Sequence, residues 1–370
     1  MTEPHTAHRT DAPLRAALVG TGAIARLHAE ALAELDGAEL VAAADAVPGR
    51  AAAFAATHAI PRSYDSFDEL LAAGGIDVVH ICTPPGAHAE QTVKAFDAGA
   101  HVVVEKPPAL SLDELDAMVS AGERAGRELA VVFQQRTGSA AEHVRRLLAG
   151  GSLGRPLVAL CNTLWYRGPA YFEVEWRGKW STEGGGTTLS HGIHQLDLLA
   201  FLLGEWSSVD GRLWRLARDV QTEDLSTAVL RFESGAVASA VTSVLSPRET
   251  SSIRIDTERA TITVDHLYGH SHVNWSITPA PGVEPDASWD FPETERASGH
   301  LDLLRQVYPA LRAGSPLPDV VADPARSFEI VAALYASSTT GAPVRREELR
   351  GIPGIGASLE STVTDLRHRA

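Results

Sequence analysis

The turn after the apolar run Leu14–Val19 constrains the fold of this chain more than any other feature. Helical periodicity begins directly after it, over Ala23–Leu35, so the turn joins a strand to a helix. In its pattern, G-x-G-x-x-A, Gly20 allows a tight bend, Gly22 lets a pyrophosphate approach the backbone, and Ala25 lets the helix pack on the strand. Phosphates bind at such a helix start because free N–H groups and the helix dipole favour negative charge. The residues predicted to contact a dinucleotide here are Gly20, Thr21, Gly22, Ala23 and Ile24.

Strands and helices alternate beyond this turn. Further strands are predicted at 40–44, 77–81, 102–104 and 129–133, with helices between them at 49–58, at about 88–98, and after the capping residue Ser111. Alternation of this kind predicts a parallel, doubly wound sheet in an α/β fold.

The pattern changes after about Thr137. Two hairpin signals, Glu233–Gly235 and Asp256–Arg259, lie between apolar runs and predict a largely antiparallel sheet, which two late helices, about 300–313 and 323–339, can cover. Because 370 residues exceed one ordinary core, two domains are expected. The predicted divisions are a tail at 1–13, a dinucleotide-binding domain at 14–136, a substrate and oligomerisation domain at 137–356, and a tail at 357–370.

Asp45, at the end of the second predicted strand, is placed to accept hydrogen bonds from both ribose hydroxyls of an adenosine. Its charge would repel a 2′-phosphate, which favours NAD over NADP. Two further loops follow strands at the same sheet edge, where ligands of open α/β sheets bind. One contains Thr83, Pro84 and His88, and the other contains Lys106, held by two prolines in a place poorly suited to packing. The alternative is a glycine turn that binds no nucleotide, with Asp45 as a turn residue.

Composition limits the classes of partner. A net charge of −15 and a pI near 5.4 argue against nucleic acid and anionic membrane surfaces as main partners. The polar N-terminus is not expected to be a signal peptide, and no run approaches the ~18 apolar residues of a membrane helix. The two cysteines, Cys82 and Cys161, make no metal-binding spacing, so a reducing, cytoplasmic setting is expected.

Several short motifs occur in a fixed order along the chain. They are the glycine turn, Thr83-Pro84-Pro85 with His88, Glu105-Lys106-Pro107, Gly184-Gly185-Gly186, and Gly192-Ile193-His194 with Asp197. Together they resemble the glucose–fructose oxidoreductase and inositol dehydrogenase family (Gfo/Idh/MocA), from about Leu14 to Arg345. The resemblance implies an N-terminal Rossmann domain, then an α/β domain with a large, open, mainly antiparallel sheet. It also implies a nicotinamide cofactor, a sugar, cyclitol or related polyol as substrate, and a homodimer or homotetramer formed through the open sheet.

The resemblance also assigns roles to single residues. It implies that Lys106 and His194 react with the substrate as acid or base, and that Glu105 lies near the nicotinamide ribose. Gln134 falls in the segment that lies under the nicotinamide in this family. His194 has the ordinary pKa of a base near neutral pH, whereas Lys106 could act as the base if a bound NAD⁺ ring lowers its pKa. Both assignments of the base stay open.

Two positions depart from the family pattern. Thr137 stands where the family usually has an aromatic residue after Arg136, and the second position is Ser190. Ser190 stands where the family usually has Asp, four residues before His194, and it cannot carry the charge that would orient this histidine. His191 is the neighbouring candidate to replace that Asp. Helical spacing places Ser190, His194 and Asp197 on one face, which the preceding glycines would let approach the cofactor. A zinc site from His191, His194 and Asp197 is rejected because nothing completes the ligand set.

The segment before the glycine run contains candidates for substrate binding. Trp176, Arg177 and Trp180 cluster there; aromatic rings stack on the C–H faces of sugars, and Arg binds hydroxyls or carboxylates. Packing within or between domains explains the aromatic residues equally well. Arg136 and Asp197 complete the predicted substrate contacts, and a helix salt bridge explains Asp197 about equally well.

Two alternatives to a dehydrogenase stay open. One is a glycosidase that oxidises its substrate transiently and retains NAD⁺, and the other is a nucleotide-sensing regulatory protein without catalysis. Ser190 in place of Asp favours the sensor, whereas the presence of both Lys106 and His194 favours an enzyme.

Overall fold

The computed structural model describes residues 12–266, 268–360, 363 and 366. Its first part is a parallel sheet of six strands in the order β3-β2-β1-β4-β5-β6. The strands are β1 (Leu14–Val19), β2 (Ala38–Ala44), β3 (Arg62–Tyr64), β4 (Val78–Ile81), β5 (His101–Val104) and β6 (Leu129–Val131). The strand order reverses at β1, so the predicted doubly wound α/β sheet is confirmed, and the reversal marks where a ligand binds.

Five helices accompany this sheet. They are α1 (Ala23–Ala33), α2 (Arg50–His58), α3 (Phe67–Ala73), α4 (His88–Asp97) and α5 (Leu112–Ala125). Ser66 and Ser111 accept hydrogen bonds from the backbone N–H groups of Glu69 and Glu114, so serine caps begin α3 and α5. The sequence patterns do not predict β3 and α3, because a three-residue strand and a seven-residue helix are too short to show a period.

The second part contains an eight-stranded sheet in the order β13-β12-β11-β7-β10-β9-β8-β14. Its strands are β7 (Pro156–Tyr166), β8 (Trp206–Trp214), β9 (Leu225–Phe232), β10 (Val237–Ser243), β11 (Leu245–Thr257), β12 (Ala260–Asp265), β13 (Trp275–Pro279) and β14 (Val344–Arg345). Strand β10 pairs in parallel with β7, and the other recorded pairs are antiparallel. The predicted, mainly antiparallel sheet and both hairpins are confirmed.

Helices of the second part connect the two sheets. They are α6 (Ser139–Ala149), α7 (Pro169–Phe172), α8 (Trp180–Glu183), α9 (Ile193–Leu203), α10 (His300–Ala313), α11 (Arg326–Thr340) and α12 (Arg346–Leu349). Helix α9 is buried along its whole length and packs on β7, β11 and α11. Helix α10 returns to the first sheet and packs against α1. The late helices therefore differ in role: α11 covers the second sheet, and α10 joins the two parts.

The two faces of the second sheet differ in burial. On β7, Ala159 and Cys161 are buried, whereas the alternating Val158 and Leu160 are 50% and 44% exposed. The period of two therefore directs one set of side chains into the core and leaves apolar groups on the other face.

The predicted tails are placed only in part. The N-terminal tail, 1–13, lies outside the described residues except for 12 and 13. In the C-terminal tail, 357–370, Leu359 and Leu366 are buried in the core, so this segment begins as packed structure. Residues 361, 362, 364, 365 and 367–370 lie outside the described residues. Within the described ranges, no helix combines the length and apolar character needed to span a membrane.

Candidate active site

The glycine turn has the geometry that a dinucleotide requires. Gly20 has a φ of +81°, and a Cβ there would lie 2.7 Å from the backbone nitrogen of Thr83. A Cβ on Gly22 would meet no atom within 4 Å, because this position opens into a cavity. No side chain in the described part of the chain caps α1, which leaves N–H groups at its start available to an anion. The turn therefore fits the pyrophosphate of NAD.

Asp45 follows β2 and lies beside the turn. Its Oδ2 accepts hydrogen bonds from the backbone N–H and the hydroxyl of Thr21, both at 2.8 Å, and its Oδ1 accepts the Val47 N–H at 2.9 Å. Burial raises the pKa of Asp45, but these hydrogen bonds outweigh it and hold the pKa below its ordinary value. A charged carboxylate therefore lines the cavity, where it suits the ribose of an adenosine.

One cavity of about 1020 Å³ runs from this turn to the second part of the chain. Its cofactor end is lined by Gly20, Gly22, Ala23, Ile24, Asp45, Thr83, Pro84 and His88. Its other end is lined by Glu105, Lys106, Arg167, Tyr171, Trp176, Arg177, Glu183, Ser190, His191 and Tyr268. Most of the predicted cofactor contacts thus share one space with Lys106, beyond the carboxyl ends of β1, β4 and β5, where ligands of such sheets bind.

His88 joins the two loops that face the cavity. Its Nε2 lies 2.8 Å from the carbonyl oxygen of Thr83, and its Nδ1 lies 2.9 Å from the carbonyl oxygen of Pro107. The Thr83 hydroxyl donates to Oε1 of Gln91 at 2.7 Å. Because Pro107 follows Lys106, the buried imidazole of His88 helps to fix the loop that carries the lysine.

Lys106 follows β5 and reaches into the cavity. Its Nζ donates a hydrogen bond to the carbonyl oxygen of Ser190, 3.2 Å away, so the two parts of the chain meet at this side chain. Burial lowers the pKa of Lys106 below its ordinary value; the Glu105 carboxylate opposes this shift, and Arg177 adds to it. A lysine with a lowered pKa exchanges its proton more readily near neutral pH than an exposed lysine does.

Glu105 is held by two histidines that the sequence patterns do not single out. Its Oε1 lies 2.9 Å from Nε2 of His28 on α1 and 2.9 Å from Nε2 of His300 on α10. Burial raises the pKa of Glu105, but the hydrogen bonds from His28 and His300 outweigh it and hold the pKa well below its ordinary value. Glu105 is therefore an anion directly beside Lys106.

Ser190 and His191 face the cavity and belong to a chain of hydrogen bonds. The Ser190 hydroxyl donates to the carbonyl oxygen of Gly186 at 2.8 Å, so it accepts from Nδ1 of His191, also at 2.8 Å. Nε2 of His191 then accepts a hydrogen bond from the hydroxyl of Tyr171, 3.2 Å away. The guanidinium of Arg177 donates a hydrogen bond to the same hydroxyl oxygen. Burial lowers the pKa of His191 well below its ordinary value. A neutral imidazole therefore stands beside Ser190, where the family pattern usually has an acid.

His194 does not share a face with Ser190. A π-helical turn, Thr188–Gly192, precedes α9, and its wider turn shifts the register that a four-residue spacing assumes. Ser190 and His191 line the cavity, but His194 is not among its lining residues in the described part of the chain. The His194 ring is buried, and neither ring nitrogen has a hydrogen-bond partner within the described ranges. Burial, together with the charge of Lys106, lowers its pKa well below the ordinary value.

The glycine run before this turn approaches a carboxylate instead of the cofactor. A Cβ on Gly186 would lie 2.1 Å from the carbonyl oxygen of Glu223, and a Cβ on Gly185 would lie 2.6 Å from the Tyr335 hydroxyl. The Gly186 N–H donates to Oε2 of Glu223 at 3.0 Å. The expected close approach is therefore real, but its partner is a buried glutamate of the second part.

Arg136 and Asp197 form a buried ion pair in place of the predicted substrate contacts. Nε of Arg136 lies 2.9 Å from both carboxylate oxygens of Asp197, and each residue is only 1% exposed. The guanidinium also donates to the carbonyl oxygen of Ala322 at 2.8 Å. Neither residue lines the cavity in the part of the chain described. Because protein groups face both charges, the pair fastens the segment after β6 to α9 and to the loop before α11.

Two other predicted contacts also lie behind the cavity wall. The Trp180 ring packs against Tyr335, with ring centroids 5.9 Å apart. Gln134 has a buried side-chain oxygen with no hydrogen-bond partner among the residues described. Trp180 is therefore half-buried and packs against the core, as the packing interpretation of the aromatic cluster expects.

Trp176 and Arg177 do line the cavity. The Arg177 guanidinium lies over the Tyr171 ring, 3.8 Å from its centroid, and over the Trp176 ring at 4.3 Å. Glu183, at the end of α8, lies 3.9 Å from Arg177 and accepts the Gly178 N–H. Burial raises the pKa of Glu183 to about 7. Glu183 carries no recognisable signal in the sequence, where it is a single acid before three glycines.

A parallel sheet of order 3-2-1-4-5-6, a glycine turn that fits a pyrophosphate, and a half-buried lysine in the same cavity define a dinucleotide-dependent oxidoreductase. Residues 14–133 match the model of an oxidoreductase family with an NAD-binding Rossmann fold, and residues 141–263 match the GFO/IDH/MocA C-terminal domain. The chain belongs to the Gfo/Idh/MocA family, and the resemblance found in the sequence is confirmed.

The chain is similar to named dehydrogenases over most of its length. It is 28% identical to D-apiose dehydrogenase of Paraburkholderia graminis, over 94% of this chain and 93% of that protein. It is 29% identical to scyllo-inositol 2-dehydrogenase (NAD(+)) of Bacillus subtilis, over 92% and 99%. The solved structure of the WlbA dehydrogenase from Bordetella pertussis, in complex with NADH and UDP-GlcNAcA, has 30% identity and a TM-score of 0.81, over 90% and 98%. These findings confirm NAD as the cofactor and an oxidoreductase of CH–OH groups as the class of enzyme.

Proposed function

We propose that this protein is a dehydrogenase that transfers a hydride between NAD and a secondary alcohol of a sugar, cyclitol or glycoside. The observation that carries the proposal is the single cavity, which holds the glycine turn and Asp45 at one end and Lys106 and His191 at the other. The names of the relatives support this substrate class, since D-apiose is a sugar and scyllo-inositol a cyclitol.

The cofactor end would hold NAD through backbone N–H groups and one carboxylate. The start of α1 would bind the pyrophosphate, and Asp45 would accept the ribose hydroxyls. The charge of Asp45 disfavours a 2′-phosphate, which supports NAD over NADP. The nicotinamide, when bound, supplies the site that accepts or donates the hydride. The loops that carry Thr83, Pro84 and Glu105, joined by His88, would shape the nicotinamide end.

Lys106 is the group that we assign to proton exchange with the substrate hydroxyl. It lines the cavity, its pKa is lowered by burial, and its hydrogen bond to the Ser190 carbonyl fixes Nζ. As a neutral amine it accepts the hydroxyl proton while the hydride leaves the carbon, and as an ammonium it returns that proton in the reverse direction.

The two neighbouring histidines support different roles. His191 accepts the Tyr171 hydroxyl and so holds a hydrogen-bonding group at the cavity wall. His194, with two unpaired ring nitrogens and a low pKa, is a neutral acceptor close to Lys106. We assign the base to Lys106 in preference to His194 because Lys106 lines the cavity and His194 lies behind its wall.

The substrate end supports a polyol ligand. The Trp176 and Tyr171 rings offer flat apolar surfaces for C–H groups, and Arg177 offers hydrogen-bond donors for hydroxyls. Glu183, with a pKa of about 7, exists in both protonation states near neutral pH and can accept from or donate to a hydroxyl. Ser190 adds a further hydroxyl at the wall.

The proposal is tested by mixing the protein with NAD⁺ and a panel of sugars, cyclitols and glycosides while the absorbance of reduced nicotinamide is followed. We expect turnover of at least one alcohol, and we expect Lys106→Met to lower kcat by about 10²- to 10⁴-fold with the Kd for NAD unchanged. Lys94→Met, which removes a lysine paired with Asp68 and Glu90 on the surface, is the matched control and should keep the wild-type kcat.

The same assay separates the competing functions. Intact NAD binding without reduction by any alcohol of the panel would contradict the dehydrogenase and favour a sensor. Release of a free sugar from a glycoside without net NADH would favour a glycosidase with transient oxidation. Full activity in Lys106→Met would overturn the assignment of the acid–base group.

We further propose that 14–136 and 137–356 act as the cofactor domain and as the substrate and oligomerisation domain. The open face of the second sheet carries Val158, Leu160 and Val229, which are 50%, 44% and 43% exposed, and a second copy of this chain is the proposed partner. The molar mass from light scattering should be that of a dimer or tetramer for the wild type, and it should be lower for Leu160→Lys. A monomeric wild type would contradict the proposed oligomer. Free, buried Cys82 and Cys161 fit the expected reducing cytoplasm.

A further inference from the structure

Glu105 lies at the centre of a buried network that reaches far beyond the cavity. Its Oε1 contacts Nε2 of both His28 and His300 at 2.9 Å, and its Oε2 accepts the backbone N–H of Lys106 at 3.2 Å. His28 Nδ1 lies 2.8 Å from Nδ1 of His80 on β4. His80 Nε2 lies 2.8 Å from the Tyr308 hydroxyl on α10, completing a path of three contacts from Glu105.

The chemistry of these groups fixes the direction of every hydrogen bond. An ionised carboxylate only accepts, so His28 carries its proton on Nε2 and, being neutral, presents a lone pair at Nδ1. His80 must then carry its proton on Nδ1, and its Nε2 accepts the hydroxyl of Tyr308. The Tyr308 hydroxyl thereby selects the tautomer of His80, which selects the tautomer of His28, which donates to Glu105.

Burial keeps the network in this state. Desolvation lowers the pKa of His28, and it lowers the pKa of His80 well below the ordinary value, so both rings are neutral near neutral pH. The titratable or charged groups that face Glu105 are His28, His80, Cys82, His88, Lys106, His194 and His300, and those that face Lys106 are Glu105, His88, Arg167, Arg177, Glu183, His191 and His194. Glu105 is thus the nearest anion to Lys106, in contact through the backbone of the lysine.

We propose that Tyr308, His80, His28 and His300 are positioning residues that hold Glu105 ionised beside Lys106 and so set the proton affinity of the Lys106 amine. The inference rests on the proposed acid–base role of Lys106. Two of the four residues, His300 and Tyr308, come from α10, so a helix of the second part of the chain controls a group in the first.

The effect on Lys106 has a definite sign. A neighbouring anion raises the pKa of an amine, and loss of a donor to Glu105 makes its carboxylate take up a proton more readily. In Tyr308→Phe, Nε2 of His80 loses the hydroxyl that donates to it, so the tautomer of His80 with its proton on Nε2 becomes accessible. In that state His28 carries its proton on Nδ1 and directs the lone pair of its Nε2 at Glu105. The ionised state of Glu105 is then disfavoured, and the pKa of Lys106 falls.

The first test is independent of turnover. Nitrogen-15 NMR of histidine-labelled protein, assigned with single His→Gln variants, should show His28 with its proton on Nε2 and His80 with its proton on Nδ1 near neutral pH. Tyr308→Phe should abolish this pattern, and Tyr64→Phe, which removes the hydroxyl of a tyrosine on β3 outside the network, should keep it. A charged His28, or His28 with its proton on Nδ1, would overturn the inference.

The second test uses the pH dependence of kcat/KM for alcohol oxidation. Tyr308→Phe and His300→Leu should move the acid limb to lower pH by about one unit, because the limb follows deprotonation of Lys106. Tyr64→Phe should leave the limb in place. If the acid limb stays in place in both Tyr308→Phe and His300→Leu, the inference is overturned, even with the NMR pattern intact. If the acid limb is still present in Lys106→Arg, it is the function proposed for Lys106 that is refuted. Stoichiometric zinc in the purified protein would also overturn the inference, since His28, Glu105 and His300 would then be metal ligands.

Discussion

The two sides of Lys106 differ in how their polar atoms are paired. On the side of Glu105, the ring nitrogens of His28 and His80 each have a partner within hydrogen-bond distance. On the side of α9, His194 is as deeply buried, yet neither of its ring nitrogens has a partner in the described part of the chain. Buried polar groups are nearly always hydrogen-bonded in native proteins. The paired side is therefore scaffold, and the unpaired side holds a polar ring whose burial costs free energy without a compensating hydrogen bond.

The largest effect on stability is expected at the buried ion pair of Asp197 and Arg136, in which both groups are charged and paired. Asp197→Leu removes one partner of the buried Asp197–Arg136 pair and leaves a buried guanidinium uncompensated. We expect the free energy of unfolding to fall by about 3–5 kcal/mol, measured by urea denaturation. The Kd for NAD should stay at the wild-type value, because both residues lie outside the cavity. If Asp197→Leu instead weakens substrate binding and leaves the free energy of unfolding unchanged, Asp197 contacts the substrate, as predicted from the sequence.

Asp45 is intermediate between a fully paired and an unpaired polar group. Its carboxylate accepts hydrogen bonds from Thr21 and Val47 on one side and faces the cavity on the other. In Asp45→Asn we expect the Kd for NAD to rise about 10- to 100-fold, since hydrogen bonds to a charged group contribute roughly 1.5–3 kcal/mol. Binding of NADP should weaken less, because the repelling charge is gone and Arg50 lies nearby. Equal losses for the two nucleotides, measured by calorimetry, would contradict the selective role of Asp45.

The two buried histidines give opposite predictions for the same substitution. His28→Leu leaves Glu105 short of a donor and should lower the free energy of unfolding by about 1–3 kcal/mol. His194→Leu replaces an unpaired polar ring with an apolar side chain and should raise the free energy of unfolding by about 1 kcal/mol. If His194→Leu destabilises the protein as much as His28→Leu does, the contrast between the two sides is wrong.

The last effect concerns the pH dependence of stability, and it is small at each single residue. The pKa values of His28, His80, His191 and His194 are lowered by burial, so at mildly acidic pH the unfolded chain binds protons that the folded protein does not. Stability should be full above about pH 6.5 and should fall below it, by up to about 1.4 kcal/mol per pH unit for each such histidine. Thermal unfolding between neutral and mildly acidic pH measures this. Glu183 and Glu223, whose pKa values burial raises, oppose this trend as two groups against four histidines. A melting temperature that rises on acidification would therefore still contradict neutral, buried imidazoles.

Local patterns in the sequence predict the cofactor half of the site. The glycine turn, Asp45 and the loop with Lys106 each follow a strand, and the carboxyl ends of parallel strands lie together at one edge. Their convergence on the cavity therefore follows from the order of strands along the chain. The open antiparallel sheet follows in the same way from its hairpins.

The rest depends on contacts between distant segments, which no local pattern encodes. Glu105 and His300 are 195 residues apart, and their contact requires α10 to return to the first sheet. The register of Ser190 and His194 depends on a π-helical turn that a spacing of four does not reveal. Arg136 and Asp197 were expected at the substrate because both are charged and close to motifs, but their mutual pairing is visible only in three dimensions.

The central claim is that Lys106 exchanges the proton of the substrate hydroxyl, and the pH dependence of hydride transfer in Lys106→Arg tests it most directly. Arginine keeps the positive charge and the length of the side chain but does not deprotonate in proteins. We expect the rate of hydride transfer to fall by at least about 100-fold, with NAD still bound and the acid limb of the wild-type profile gone. A Lys106→Arg variant with the wild-type rate and the wild-type limb would contradict the claim.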